Sequence, residues 1–248
     1  MADYDNRLAR SADGAALTVD AGLRAYMLRV YNYMLVGLGL TGIVAWATAN
    51  TPLGQVFYTQ VQTAAGIGLQ PNILGWIAVF APLGMVFFLS FRLQKMSFAA
   101  AQTTFWIYAA LMGVSLATIL FLYTGSSIAL TFFVTAATFG AMSLWGYTTG
   151  RDLTGFGSFL FMGLIGLILA SLANIFFQSS QLQFVVSVIG VLIFTGLTAY
   201  DSQSIKNLYY AGDDSEVTGK KAIMGALRLY LDFINLFLYL LRFMGNRR

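Results

Sequence analysis

LRLYLDFINLFLYLLRFMG, residues 227–245, is the stretch on which the fold turns. With the residues before it, the run Ala222–Phe243 reaches the ~20 mostly apolar residues that a membrane-crossing helix needs. Asp232 nevertheless stands near its middle, about ten residues from either end. An ionised Asp at that depth costs ~2.5–3.5 kcal/mol on insertion scales, so it must be neutral, paired or turned towards water. Arg228, Asp232, Asn235, Tyr239 and Arg242 follow one another at steps of four, three, four and three. That spacing makes one polar stripe on an otherwise Leu/Phe helix. Lipid would leave the stripe unsatisfied, so it is expected to face the interior of a helical bundle.

The rest of the chain fits such a bundle. Of 248 residues, 58% are hydrophobic and 10% charged, against about 25% charged in an ordinary soluble domain. Twenty-four charged side chains are too few to cover a soluble domain of this length. The same composition excludes disorder. The net charge of +4 comes from basic residues scattered among short connections. They form no basic face for nucleic acid. There is no cysteine and no histidine. Disulfides, thiolate metal sites, a thiol nucleophile and the usual general base are all excluded.

Apolar stretches recur at Met27–Ala49, Asn72–Phe91, Phe98–Tyr123, Ser126–Tyr147, Gly157–Phe177, Leu182–Tyr200 and Ala222–Phe243. They predict an all-α integral membrane protein with seven transmembrane helices. The runs are too long, and alternate too little, for barrel strands. Residues 1–25 are polar and lack the apolar core of a secretory signal, which predicts a cytoplasmic tail. Residues 26–245 form the seven-helix domain, and 246–248 a short basic end. Pro82 falls inside the second span, where it should kink the helix.

Lys and Arg set the expected orientation. Arg7, Arg10, Arg24, Arg29, Arg92, Lys95, Arg151, Lys206, Lys220 and Lys221 all fall on the side of the amino terminus. The three connections on the other side, between spans 1 and 2, 3 and 4, and 5 and 6, have none. The amino terminus is therefore expected in the cytoplasm. The last helix is less well specified, because Arg242, Arg247 and Arg248 follow it. A full span is favoured over a re-entrant helix.

Two acidic residues lie outside the tail and connections: Asp232 and Asp201. If the sixth helix continues through Ser202–Leu208, Asp201 lies one to two turns inside the cytoplasmic mouth. Arg92 ends the run Val86–Phe91 and can reach inward along the second helix. Plainer readings stand beside these. Asp232 can pair with Arg228 on its own helix, Asp201 can be a solvated helix end, and Arg92 a snorkelling anchor. The Ser171–Asn174–Gln178 stripe reads as an interhelical hydrogen-bond seam.

TGLTAYDSQSIKNL (195–208) and LRLYLDFINLFLYLLRFMG (227–245) resemble the sixth and seventh helices of the Bax inhibitor-1 family, also called the transmembrane Bax inhibitor motif family. SLWGYTTGRDLTGFGSFLFMGLIG (143–166) is similar to its bacterial branch. The resemblance runs from about Tyr26 onward. It implies a central seventh helix surrounded by the other six, in a multi-pass protein of the bacterial inner membrane. It also implies a pH-sensitive calcium leak channel rather than an enzyme, with no cofactor and no catalytic residue. The family's sensor and cation-binding aspartates fall on Asp201 and Asp232, and its latch arginine on Arg92 in FRLQK. Arg228, Asn235 and Tyr239 form a supporting stripe. The charged carboxyl tail of animal members has no counterpart past Gly245, so their cell-death role is not implied.

Two carboxyls close together in a poorly hydrated site cannot both ionise freely, so they share a proton and titrate as a unit. They also offer hard oxygens to calcium, which takes 6–8 such ligands. Water, backbone carbonyls or Asn235 must supply the others, which makes the site weak and fast. Protons, the cation and Arg92 compete for the pair, and breaking the latch frees the second helix. The competing reading is a membrane interaction protein whose tail, Met1–Asp20, binds a membrane protease complex that it modulates. A rhomboid protease lacks its histidine here, a retinal protein its mid-span lysine, and a nucleotide site its GxxxxGK[ST] loop.

Overall fold

A computed structural model of the chain describes residues 2–63 and 66–247. Seven of its helices are long and apolar enough to cross a membrane. In chain order the elements are α1 (Ala2–Asn50), α2 (Gly54–Phe57), β1 (Tyr58–Thr63), β2 (Gly66–Pro71) and α3 (Ile73–Arg92). A short 3-10 turn, Leu93–Lys95, leads to α4 (Phe98–Leu122), α5 (Gly125–Thr148), α6 (Thr154–Phe177), α7 (Ser180–Asn207) and α8 (Ser215–Met244). The candidate span within α1 is Ala21–Asn50. The protein is thus an all-α membrane protein with seven spans.

Helix α8 is the axis. Its apolar window is 67% buried, against 11% for α6. It packs directly against α1, α4, α5 and α7, while α3 leans mainly on α4 and α6 on α7. Its start is fixed by Asp214, whose side chain accepts from the Val217 amide at 2.7 Å and so satisfies an orphan N–H of the first turn. Thirty residues give a length of ~45 Å, more than the hydrocarbon core. At the far end, the Asn246 amide donates to Ser127 Oγ at 2.8 Å. The Thr124 amide donates to the Asn246 carbonyl at 3.1 Å. The chain end therefore meets the α4–α5 turn, and α8 crosses the whole bundle without turning back.

Close approach sets the positions of the remaining helices. At Gly146 on α5 an added Cβ would collide with the Ala199 carbonyl of α7, so only glycine admits this crossing. The hydroxyls of Tyr31, Ser143 and Ser202 then link α1, α5 and α7, at 2.6 Å and 2.7 Å. The α5–α6 turn is pinned to α7 by Gln203, which donates to the Arg151 carbonyl at 2.7 Å and accepts from the Leu153 amide at 2.9 Å. Outward faces carry large apolar side chains such as Phe133 and Phe176, exposed by 70% and 86%. In a membrane those faces meet lipid at no desolvation cost.

The connection Asn50–Pro71 holds more structure than its polarity suggests. β1 and β2 pair antiparallel from Tyr58↔Pro71 to Thr63↔Gly66. Tyr58 roots this hairpin: it is buried and donates to the Val114 carbonyl of α4 at 2.9 Å. Burial pushes its phenol above the ordinary range. Pro82 lies inside α3, which runs as one helix across it.

Candidate functional site

Helix α7 continues seven residues past Tyr200, so Asp201 lies within it and not at its end. α7 and α8 pack closely along their length, which brings Asp201 opposite Asp232. Both residues line one cavity, Asp201 from α7 and Asp232 from α8. Asp232 is 4% exposed and Asp201 partly exposed. Among the described residues Asp232 Oδ2 is buried with no hydrogen-bond partner. A buried carboxylate oxygen without a donor is costly. A proton, a cation or water must satisfy it.

Both aspartates open on a cavity of ≈ 750 Å³ between α6, α7 and α8. Arg228, Asn235 and Tyr239 from the same α8 stripe line it with them. Asn235 donates its amide to the Leu231 carbonyl at 2.8 Å, which leaves its own oxygen available. Arg228 Nη1 approaches Ser204 Oγ at 3.5 Å across to α7. Among the described residues the guanidinium makes no direct ion pair with either aspartate. It lines the same cavity as both acids, one helical turn before Asp232. The plainer reading of Asp232, a direct pair with Arg228, is replaced by this longer-range arrangement.

Arg92 does not join the site. It is exposed at the end of α3, which packs on α4, and does not line the cavity. The basic residue that lines the cavity with the aspartates is Arg228. The sequence contained the signal in the i, i+4 spacing of Arg228 and Asp232, but not the packing that decides between the two arginines.

The Ser171–Asn174–Gln178 stripe also departs from expectation. Ser171 donates to Leu167 of its own helix at 2.7 Å, and Asn174 accepts from the Ser179 amide at 3.0 Å. Instead of sealing two helices, the stripe lines a second cavity of ≈ 770 Å³ at the far end of α8. Arg242 and Arg247 supply the charge there, and among the described residues no acid lines it.

Two carboxylates and one free amide oxygen make a sparse set for calcium, which takes 6–8 oxygens. Among the described residues no cluster of three acidic ligands exists. Such a set leaves most of a calcium ion's coordination to water.

Comparison with known proteins adds to this geometry. The family model described as Inhibitor of apoptosis-promoting Bax1 matches residues 23–248. An uncharacterized protein of Rickettsia prowazekii is 49% identical over 248 residues, covering all of both chains. Inner membrane protein YbhL of Escherichia coli K12 is 48% identical over 231 residues, 92% of this chain and 94% of its own. An uncharacterized membrane protein of Streptococcus pyogenes serotype M3 is 37% identical over 227 residues, 92% and 95% of the two chains.

Proposed function

The chain belongs to the Bax inhibitor-1 family, and on that premise we propose that it is a pH-sensitive cation leak, with calcium as a cargo ion and Asp201 and Asp232 as its sensor. The observation that carries this reading is that the two aspartates line one cavity, where among the described residues Asp232 Oδ2 has no donor.

Three species compete for the same oxygens. A single proton bridging the pair satisfies both carboxyls and leaves one negative charge, which Arg228 balances through the field. A divalent cation displaces that proton, because its charge and hydration shell answer both carboxylates. The exchange is reciprocal: calcium lowers the pair's proton affinity by the factor by which protons lower its calcium affinity. Loss of the bridging charge also loosens the hold of α7 on α8, the two helices whose contact frames the cavity. The site is read as a sensor and a stepping stone, since its few ligands suit rapid release.

The protein is placed, in this proposal, in the bacterial inner membrane with its amino terminus in the cytoplasm. The asymmetry of Lys and Arg supports that orientation, and YbhL, a relative, is described as an inner membrane protein.

The test is calcium flux from purified protein in loaded vesicles, titrated from acid to neutral pH. Wild-type flux should change with pH. Asp201→Asn and Asp232→Asn should each flatten that response, and the double variant should abolish it. Identical flux and pH response in all four proteins would end this reading.

A further inference from the structure

The two cavities share α6, α7 and α8 as walls, the second being bounded by α3 and α4 too, and they adjoin around Tyr239. On α6 the boundary falls between Ile168 and Ser171 and on α7 between Val186 and Phe194; on α8 Tyr239 faces the first cavity, while Leu238, Leu241 and Arg242 face the second. The ring of Tyr239 lies at that boundary. It stacks on Phe194, with centroids 5.6 Å apart and planes 22° from parallel. It also lies over Gly190, where a Cβ would come within 2.5 Å of its Cδ1. The glycine is the slot that admits the ring. Arg242, which lines the second cavity, holds its guanidinium 5.6 Å from the ring centroid.

We propose that Tyr239 is the septum between two vestibules, and that the seam of α6, α7 and α8 is the route by which a cation crosses. This rests on the leak reading above and names its path. The α8 stripe puts polar side chains on both sides of the ring, with Asp232 and Asn235 below it and Arg242 above. Tyr239 is only partly buried, unlike Tyr108 and Tyr230 of the closed core, both 0% exposed. A partly buried ring can change rotamer without any helix moving. The positive vestibule beyond it disfavours cations, so the leak is slow even when the ring is displaced.

The chain has no cysteine, so single cysteines report cleanly. Asn235→Cys marks the aspartate side of the ring and Ser171→Cys the other. A membrane-impermeant thiol reagent is applied to sealed vesicles from the face at which α8 ends. It should label Ser171→Cys and spare Asn235→Cys. Adding Tyr239→Ala should raise labelling of Asn235→Cys by about tenfold or more, while Tyr239→Phe should leave it protected. Phe194→Ala removes the other half of the stack and should act like Tyr239→Ala; it serves if the latter does not purify as a folded protein. Calcium flux should rise in the opened variants. Protection of Asn235→Cys that persists in both alanine variants would overturn the septum, as would labelling while the ring is intact. Opened labelling with no calcium flux in any variant would keep the septum and sink the leak.

Discussion

The two cavities share α6, α7 and α8 as walls, the second being closed by α3 and α4 as well, and they are of nearly equal size, ≈ 750 and ≈ 770 Å³, yet their chemistry is opposite. The first holds two acids and Arg228; the second holds Arg242 and Arg247 and, among the described residues, no acid. Burial differs in the same way. Asp232 is 4% exposed, whereas Arg242 is exposed at the end of its helix. A charge at a helix end finds water or snorkels at little cost. One at mid-helix must be answered by protein, proton or ion. The difference teaches that the first cavity stores an unmet electrostatic demand, and the second does not.

The sharpest way to break this contrast is to remove the demand. The Asp201→Asn, Asp232→Asn double variant should lower calcium flux by about tenfold or more, equivalent to ~1.4 kcal/mol, and should not lower the thermal midpoint. Neutral amides in a dry site relieve a cost that function imposes. A fall in midpoint with unchanged flux would mean that the acids are structural.

Next come the two arginines. Arg228→Gln takes the nearest cation from buried acids and should destabilise by ~1–3 kcal/mol, read as thermal unfolding in detergent. Arg242→Gln forfeits an exposed contact with the Tyr239 ring and should cost ~0.5–1 kcal/mol. Equal effects would erase the distinction between the cavities.

A smaller effect is expected at Gln178, which ends α6 in the left-handed region at φ 48° and faces the second cavity. Gln178→Gly should stabilise by up to ~1 kcal/mol, with no change in flux.

The smallest concerns pH away from the seam. Asp152 accepts from the Thr154 hydroxyl at 2.6 Å and its amide at 2.9 Å, which holds its carboxyl below the ordinary range. Its contribution is present above the ordinary carboxylate range and is lost only as pH falls through the depressed value. Asp152→Asn should therefore leave the flux titration between acid and neutral pH unaltered.

Seven spans were legible because each apolar run exceeds the length a membrane demands. Their ends were not. α7 extends to Asn207 and α8 begins at Ser215, since polar residues propagate a helix once neighbours pack against it. The hairpin left a trace in the alternation of YTQVQT, which a search for long apolar runs passes over. The α8 stripe was readable because its spacing keeps one face. That Arg228 and not Arg92 lines the cavity was not legible, because sequence does not show that α3 leans on α4. The Ser171–Asn174–Gln178 stripe showed its face but not that the face would meet empty space.

The central claim is that Asp201 and Asp232 share one proton. Infrared difference spectra of wild-type protein and the two single Asn variants, recorded across a pH titration, address it directly. One carboxylic C=O band is expected that titrates as a unit and is displaced by calcium, and that shifts or vanishes in either single variant. Two bands that titrate independently, each unchanged when the other aspartate is replaced, would contradict it.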